Sequence, residues 1–308
     1  MKNLADCLLA TTALVACLTF APLAPAQTIE NKDVYVLANQ LADEVELIRE
    51  VMGRPYDDSP RLPVSEASEF EVFFQAQTLF RKANQLAYEI AGAPRQSAGP
   101  APTGDVQPAD VHALVASALE QIRLVSIELG ISEEVPLEVR DAGISPTGNF
   151  LIIIDINRQL NLLISTTIRS ADVYEEVSFA VVYTAGILAR VTGSGELPEA
   201  VFEGHKRPSD NYRQLLECIE IVNRIAPKAG VSVLGISSRR NLPDDVEPGH
   251  VYDIANILVA DLAMLAKELD AERARPALGP TPKHIFPSHV YERTGVLLKQ
   301  LQQLEAAL

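Results

Sequence analysis

The sequence contains no tryptophan and three cysteines, and aromatic residues make up only 6% of its 308 positions. Basic residues are scarce as well: 26 Lys and Arg stand against 41 Asp and Glu, so the formal net charge at pH 7 is −15. A field of this sign repels phosphate backbones, and we therefore expect no nucleic-acid partner. Beyond the N-terminal segment, no apolar run is long enough to cross a bilayer.

The common sequence signatures of catalysis are also missing. The sequence has no phosphate-binding loop, no His-Glu-x-x-His metal motif and no nucleophile beside a candidate general base. We therefore expect no cofactor, and the interpretation leans towards a protein that is not an enzyme. What the sequence does contain is 47% hydrophobic residues at a mean hydropathy of +0.09, which is typical of a globular chain with a buried core.

Residues 1–26 have the three parts of a secretory signal peptide. Lys2 supplies the positive start, Leu8–Phe20 the apolar stretch, and Ala24–Ala26 a small-x-small cleavage site. This pattern predicts a periplasmic or secreted protein. If cleavage follows Ala26, Cys218 is the only cysteine left, so no intrachain disulfide can form and stability must come from packing.

An alternative for the same segment is a lipoprotein signal. Leu14–Cys17 resembles the bacterial lipobox, in which the cysteine is acylated after cleavage. Cys17 would then anchor the protein to a membrane, and this is the only membrane contact that the sequence suggests.

A short string recurs eight times at nearly constant spacing. Its clearest copies read Asp-Val-Tyr or a close variant, and the copies begin at residues 33, 71, 110, 148, 172, 210, 250 and 289. Pro stands two residues before several of them. Asp, Glu and Pro suit the positive, unpaired end of a helix, so each string predicts a helix start.

Each string also opens the same apolar pattern. From its second residue, the positions at +4, +7, +11, +14 and +18 stay apolar, and only five of the 48 positions in the eight copies are polar. A composition of 47% hydrophobic residues would leave about half of them polar by chance. Steps of four and three predict eight amphipathic helices of ~27 Å with one apolar seam each, as in bundle packing.

One seam conflicts with local propensity. Phe150–Ile156 is rich in β-branched residues and by itself favours a strand. Its place in the repeat array favours a helix, and we predict a helix there.

The spacing divides the chain into two halves. The gaps between seams are about 20 residues long, except for a short joint at 168–172, and strings in the two halves are offset by 139 or 140 residues. We therefore predict an all-α fold of two tandem duplicated four-helix modules with long loops. The predicted boundaries are a signal peptide at 1–26, module 1 at 27–167, the joint, and module 2 at 173–308.

The long loops leave the direction of the helices open. Bundle helices are usually joined by two to eight residues, whereas an extended stretch of about 20 residues reaches ~60 Å. Each loop could therefore recross the bundle and set the next helix parallel to the last, or it could serve an up-and-down topology.

The first position of the string is a candidate metal site in module 2. It holds Asp172, Asp210, His250 and His289, which would converge at one bundle end if the helices run parallel. Carboxylates and imidazoles are ligands of zinc and other transition metals. The alternative is that these residues serve the N–H groups of their own first helical turn.

The third position of the string carries a ring in every copy. In module 2 the rings are Tyr174, Tyr212, Tyr252 and Tyr291, which could line a pocket for a small apolar or cationic ligand. The alternative is that each ring packs its own first turn against the incoming loop.

These observations predict an exported, non-enzymatic helical-bundle protein that binds a protein or small-molecule partner in the cell envelope, or acts as a scaffold there. A metal-binding protein or metalloenzyme using the Asp and His set, and a small-molecule sensor using the tyrosines, remain as alternatives.

Overall fold

The computed structural model describes residues 28–58, 64–99, 102, 105–133, 135–136, 144–165, 168–236, 246–271 and 278–308. The predicted signal peptide and Cys17 lie outside the described residues, as does the last seam position of the fourth helix, Thr167.

The fold is all-α, as predicted. The described residues form eight α-helices: α1 Asn31–Val51, α2 Glu69–Ala91, α3 Pro108–Glu128, α4 Pro146–Leu163, α5 Ser170–Thr192, α6 Pro208–Ile225, α7 Pro248–Glu268 and α8 Pro287–Ala307. A short 3-10 turn, Ala226–Ala229, extends α6. Helix α5 begins inside the predicted joint, because its first turn already starts at Ser170.

The strand-like segment Phe150–Ile156 lies within α4, which confirms the prediction of a helix. Phe150 and Ile153 are fully buried and Ile156 almost fully. Burial of these side chains along the seam outweighs the weak preference of β-branched residues for strands.

The apolar seams form the core. In all eight helices the first five seam positions are buried, from Val34 at the start of α1 to Leu304 near the end of α8. The last position is partly buried in most helices, because it lies at the open end of a bundle. Cys218 lies on the α6 seam with no exposed surface, as a small apolar residue would.

The helices pack into two four-helix bundles. In bundle 1, α1 contacts α3 and α4, and α2 contacts the same two helices. In bundle 2, α5 and α6 each contact α7 and α8. The two bundles thus have the same order of neighbours, while the internal duplication itself stays a prediction.

Within each bundle the helices run parallel, which resolves the direction that the sequence left open. In bundle 2 the first residues of α5, α6, α7 and α8 line one small cavity on the bundle axis: Ser170, Pro208, Pro248 and Pro287. In bundle 1, Asn149 of α4 donates to the carbonyl of Asn31 at 3.1 Å, and Asn31 donates to Glu69 of α2 at 2.7 Å. Between consecutive helices of a bundle the chain therefore returns to the end at which the previous helix began.

The two bundles lie side by side in opposite directions. They meet through α2 and α7. Ser68 at the start of α2 lies 3.9 Å from the sulfur of Met264 near the end of α7, whereas Lys82 lies 3.3 Å from Asp253 near the start of α7. A two-stranded antiparallel pairing of β1 Val64–Ser65 with β2 Gly235–Ile236 also joins them.

Helix α7 is long and apolar enough to cross a membrane by length and composition alone. In the part of the chain that the structure describes, 83% of the most apolar stretch of this helix is buried, which is typical of a core helix.

Candidate functional site

The four candidate metal ligands lie at the same end of bundle 2, because its helices are parallel. Each side chain, however, accepts a hydrogen bond from the backbone N–H that precedes its own helix. The donor–acceptor distances are 2.7 Å from Arg169 N to Asp172, 2.9 Å from Arg207 N to Asp210, 3.1 Å from Glu247 N to His250 and 3.1 Å from Phe286 N to His289. These contacts are those of a helix-capping box, in which the third helical residue satisfies the N-cap N–H.

Each of the four side chains thus serves the first turn of its own helix. Among the described residues, no group of three or more His, Cys, Asp or Glu side chains is placed to hold a metal ion. His250 lies 3.9 Å from Asp57 of the other bundle, and His289 packs between the rings of Phe202 and Phe286.

The four tyrosines also go to separate places. Tyr174 hydrogen-bonds Arg293 of α8, and the hydroxyl of Tyr252 donates to Glu176 of α5 at 3.0 Å. The ammonium of Lys206 lies 4.0 Å from the ring centroid of Tyr291, and Tyr212 is buried. The rings therefore pack between neighbouring elements, and of the four only Tyr252 reaches the cavities described next.

Two adjoining cavities lie where α2 of bundle 1 meets α5 and α7 of bundle 2. Their volumes are about 530 and 440 Å³, and they share Arg81, Glu176 and Phe179 as walls. We call the two cavities together the interbundle cleft. Clefts of this size between two units of a chain are common places for small ligands.

The larger cavity combines rings with neutral polar groups. The rings are those of Phe74, Phe179 and Tyr183. The polar groups are the side chains of Gln77, Gln96, Ser97 and Asn256. A flat apolar group could stack on the rings while the amides donate to its polar edge.

The smaller cavity is lined by four basic side chains in a protein that is strongly acidic overall. They are Arg81, Lys82, Arg95 and Arg169. Three acidic residues, Asp172, Glu175 and Glu176, lie there too. Asp172 already accepts a hydrogen bond from the backbone N–H of Arg169, and Glu176 accepts one from the hydroxyl of Tyr252. Part of their capacity to accept hydrogen bonds is therefore used within the protein.

Arg81 is the basic side chain that belongs to both cavities. Its guanidinium lies 3.3 and 3.4 Å from one oxygen of Glu176, longer than the 2.7–2.9 Å of a strong charge-assisted bond. About half of the Arg81 side chain is accessible to solvent, whereas Glu176 is buried. One guanidinium nitrogen also donates to the hydroxyl of Thr78 at 3.2 Å. Because arginine has five N–H donors, the guanidinium keeps donors that a bound anion could use.

Lys82 lies deeper in the same wall. Its Nζ donates to the backbone carbonyl of Asn157 at 3.2 Å and to Asp253 at 3.3 Å, and lies 5.8 Å from the ring centroid of Tyr252. Burial lowers the pKa of Lys82, and Asp253 offsets only part of that shift.

A second polar feature lies further along the contact between α2 and α7. Glu71 and Asp261 are both buried, and three of their four carboxyl oxygens lack a hydrogen-bond partner. Burial raises the pKa of Asp261 well above its usual value, and the charge of Glu71 adds to this shift. The backbone of Leu234 acts against the shift. Burial likewise raises the pKa of Glu71, against hydrogen bonds from Ser68.

The cleft was not predicted from the sequence, although α7 carries a signal for it. This helix is apolar nearly all round, which predicts burial, yet Asp253, Asn256 and Asp261 follow one another on one face. A polar stripe on a fully buried helix indicates a polar contact with a second unit. That face is the one that meets α2.

Comparison with known proteins gives no match for this chain among family models, curated proteins or solved structures. Its function is therefore inferred from the cleft.

Proposed function

We propose that this protein is an exported, non-enzymatic binding protein whose interbundle cleft holds a small carboxylate with a flat apolar part. The carboxylate would bind the guanidinium of Arg81, and the apolar part would lie between the rings of Phe74 and Phe179. Arg95 and Arg169 add positive charge on the side of the smaller cavity.

The observation that carries this proposal is the position of Arg81. It is the one basic residue that lines both the basic cavity and the aromatic one, and its ion pair with Glu176 is loose. Guanidinium binds carboxylate through two parallel hydrogen bonds, which fixes orientation as well as charge. A ligand with one anionic end and one flat end would engage both cavities together.

The test compares small aromatic carboxylates with their amides. We expect benzoate, phenylacetate or 4-hydroxybenzoate to bind in calorimetric titrations and to raise the melting temperature. The corresponding amides have nearly the same shape but no charge, and they are expected to bind at least about tenfold more weakly, since a hydrogen bond to a charged group contributes about 1.5–3 kcal/mol.

The matched control is Arg123. Like Arg81, it is about half exposed and pairs with a buried glutamate on a neighbouring helix, here Glu44 at 3.6 Å. Arg81→Gln is expected to weaken carboxylate binding at least about tenfold, and Arg123→Gln is expected to leave it unchanged. Equal binding of carboxylates and amides, or equal losses in both variants, would contradict the proposal.

Export to the cell envelope is the second part of the proposal, and it rests on residues 1–26. Two outcomes are compatible with binding in the cleft: release after Ala26, or a lipid anchor on Cys17. Incorporation of labelled palmitate that is lost in Cys17→Ser would establish the anchor, and a free mature chain starting at Gln27 would exclude it.

A protein partner is a second candidate, favoured by an exposed aromatic cluster at the N-terminal end of bundle 2. Phe202 and Phe286 are more than half exposed and flank His289, with ring centroids 5.2 and 5.8 Å away. A photo-reactive residue at Phe202 is expected to cross-link a partner in cells, whereas one at the equally exposed Val51 is not. Equal cross-linking at both positions would count against this candidate.

A further inference from the structure

Lys82 differs from every other lysine that the structure describes, because it alone is buried. It forms part of the wall of the smaller cavity, beside Thr78 and Tyr252. A buried amine next to a ligand-sized cavity is a different chemical group from an exposed ammonium, since burial disfavours the charged form.

The contacts of Lys82 suit a neutral amine. A neutral amine has two N–H donors and one lone pair, and Nζ has two acceptors, the carbonyl of Asn157 at 3.2 Å and Asp253 at 3.3 Å. Both distances are long for bonds made by an ammonium ion. With its two N–H groups directed at these acceptors, the lone pair is left without a partner.

Neighbouring charges act on the same group in both directions. Asp253 favours the ammonium form, while burial and the guanidinium groups of Arg81 and Arg158 favour the neutral amine. The net effect is a lowered pKa for Lys82. Lysines that act as nucleophiles towards carbonyl groups are activated in this way, by loss of solvent and by a second cation nearby.

We propose that Lys82 captures the carbonyl carbon of a small oxo acid as a reversible imine. This inference rests on the proposed function, because the cleft must first hold the carboxylate of the ligand at Arg81. It adds that the ligand carries an aldehyde or ketone within reach of Nζ.

The reaction needs no oxidant, reductant or further reactant. The Nζ lone pair forms a bond to the carbonyl carbon, and the C=O π electrons move to oxygen, which takes a proton to give a carbinolamine. The carbinolamine hydroxyl then leaves as water while the C=N bond forms. Both protons of the amine end up in that water molecule. Asp253, 3.3 Å from Nζ, is placed to accept a proton and return it.

The test uses glyoxylate as the probe with sodium cyanoborohydride, which reduces an imine to a stable secondary amine. The mature protein is incubated at pH 7 and digested, and modified lysines are located by mass spectrometry. We expect a carboxymethyl group on Lys82 that forms at least about tenfold faster than on any other lysine, because the neutral, nucleophilic fraction of an amine at pH 7 rises as its pKa falls. Lys267, which is exposed and pairs with Asp105, serves as an internal control.

Two further measurements sharpen the result. Benzoate at saturating concentration is expected to slow the modification of Lys82 and to leave Lys267 unaffected. Lys82→Arg should abolish the rapid reaction, and Lys267→Arg should not. Because the mapping is done on the unaltered protein, it remains informative even if Lys82→Arg fails to fold.

The possible failures are distinguishable. If benzoate binds as proposed but Lys82 reacts no faster than Lys267, the imine is excluded and the binding function stands. If Lys82 reacts rapidly but benzoate neither binds nor protects it, the carboxylate site at Arg81 is wrong, and the imine as stated here is wrong with it.

Discussion

Seven of the eight helices begin with the same contact, in which the third helical residue accepts the N–H of the residue before the helix. Five of these helices use Asp or Glu at this position. In the other two, α7 and α8, His250 and His289 accept through Nδ1. Helix α4 has Gly148 there, and the hydroxyl of Ser145 caps it instead. The convergence of Asp and His at one end of bundle 2 therefore has a structural cause that does not require a metal.

Asp261 gives a prediction about pH at the scale of one residue. Because burial raises its pKa in the folded state above the unfolded value of about 3.9, the folded protein loses stability as the pH rises from that value towards the folded pKa. Asp261→Asn removes the charge and is expected to raise the free energy of unfolding by about 1 kcal/mol or more at pH 7. The gain should be smaller at pH 4, because the unfolded carboxyl is then about half protonated and folding has less charge to neutralise.

Urea unfolding at the two pH values measures this effect, with the exposed Asp43→Asn as the control. The prediction is contradicted if Asp261→Asn lowers the free energy of unfolding at pH 7, or changes it equally at both pH values. Asp261 would then be paired in a way the structure does not show.

At the scale of the helices, the two isoleucines of α3 separate core from surface. Ile122 is a fully buried seam residue, whereas Ile127 is 73% exposed on the same helix. Ile122→Ala is expected to lower the free energy of unfolding by about 2–5 kcal/mol, and Ile127→Ala by less than about 0.5 kcal/mol. Denaturant unfolding of the two variants measures both values, and similar losses would refute the predicted seam.

The helices were predictable from sequence because their signal is local and repeated. The α4 segment shows how far this extends: Phe150–Ile156 favours a strand when taken alone, and the repeat corrects it. Helix direction was not predictable, because a seam such as that of α6, from Asn211 to Ile225, packs equally well beside a parallel or an antiparallel neighbour. Only the path of the loops decides between the two.

At the scale of the whole molecule, the cleft exists because the two bundles lie side by side and point in opposite directions. Within each bundle the helices are parallel. This arrangement brings the second half of α2, with Arg81 and Lys82, against the first turns of α5 and α7. Single-sequence patterns cannot place residues 95 to 171 positions apart next to each other, as with Arg81 and Glu176 or Lys82 and Asp253. The candidate site was therefore missed even though each helix that forms it was predicted.

The antiparallel arrangement of α2 and α7 across the contact between the bundles can be tested by one pair of cysteines. Ser68→Cys with Met264→Cys joins residues whose side chains already lie 3.9 Å apart, and mild oxidation is expected to form a disulfide. The control, Ser68→Cys with Asn256→Cys, moves the second cysteine ~12 Å along α7 and should form none. Cys218 stays in place in both variants, because it is buried. A disulfide in the first pair alone is the predicted result, and one in the control pair alone would contradict the arrangement that creates the cleft.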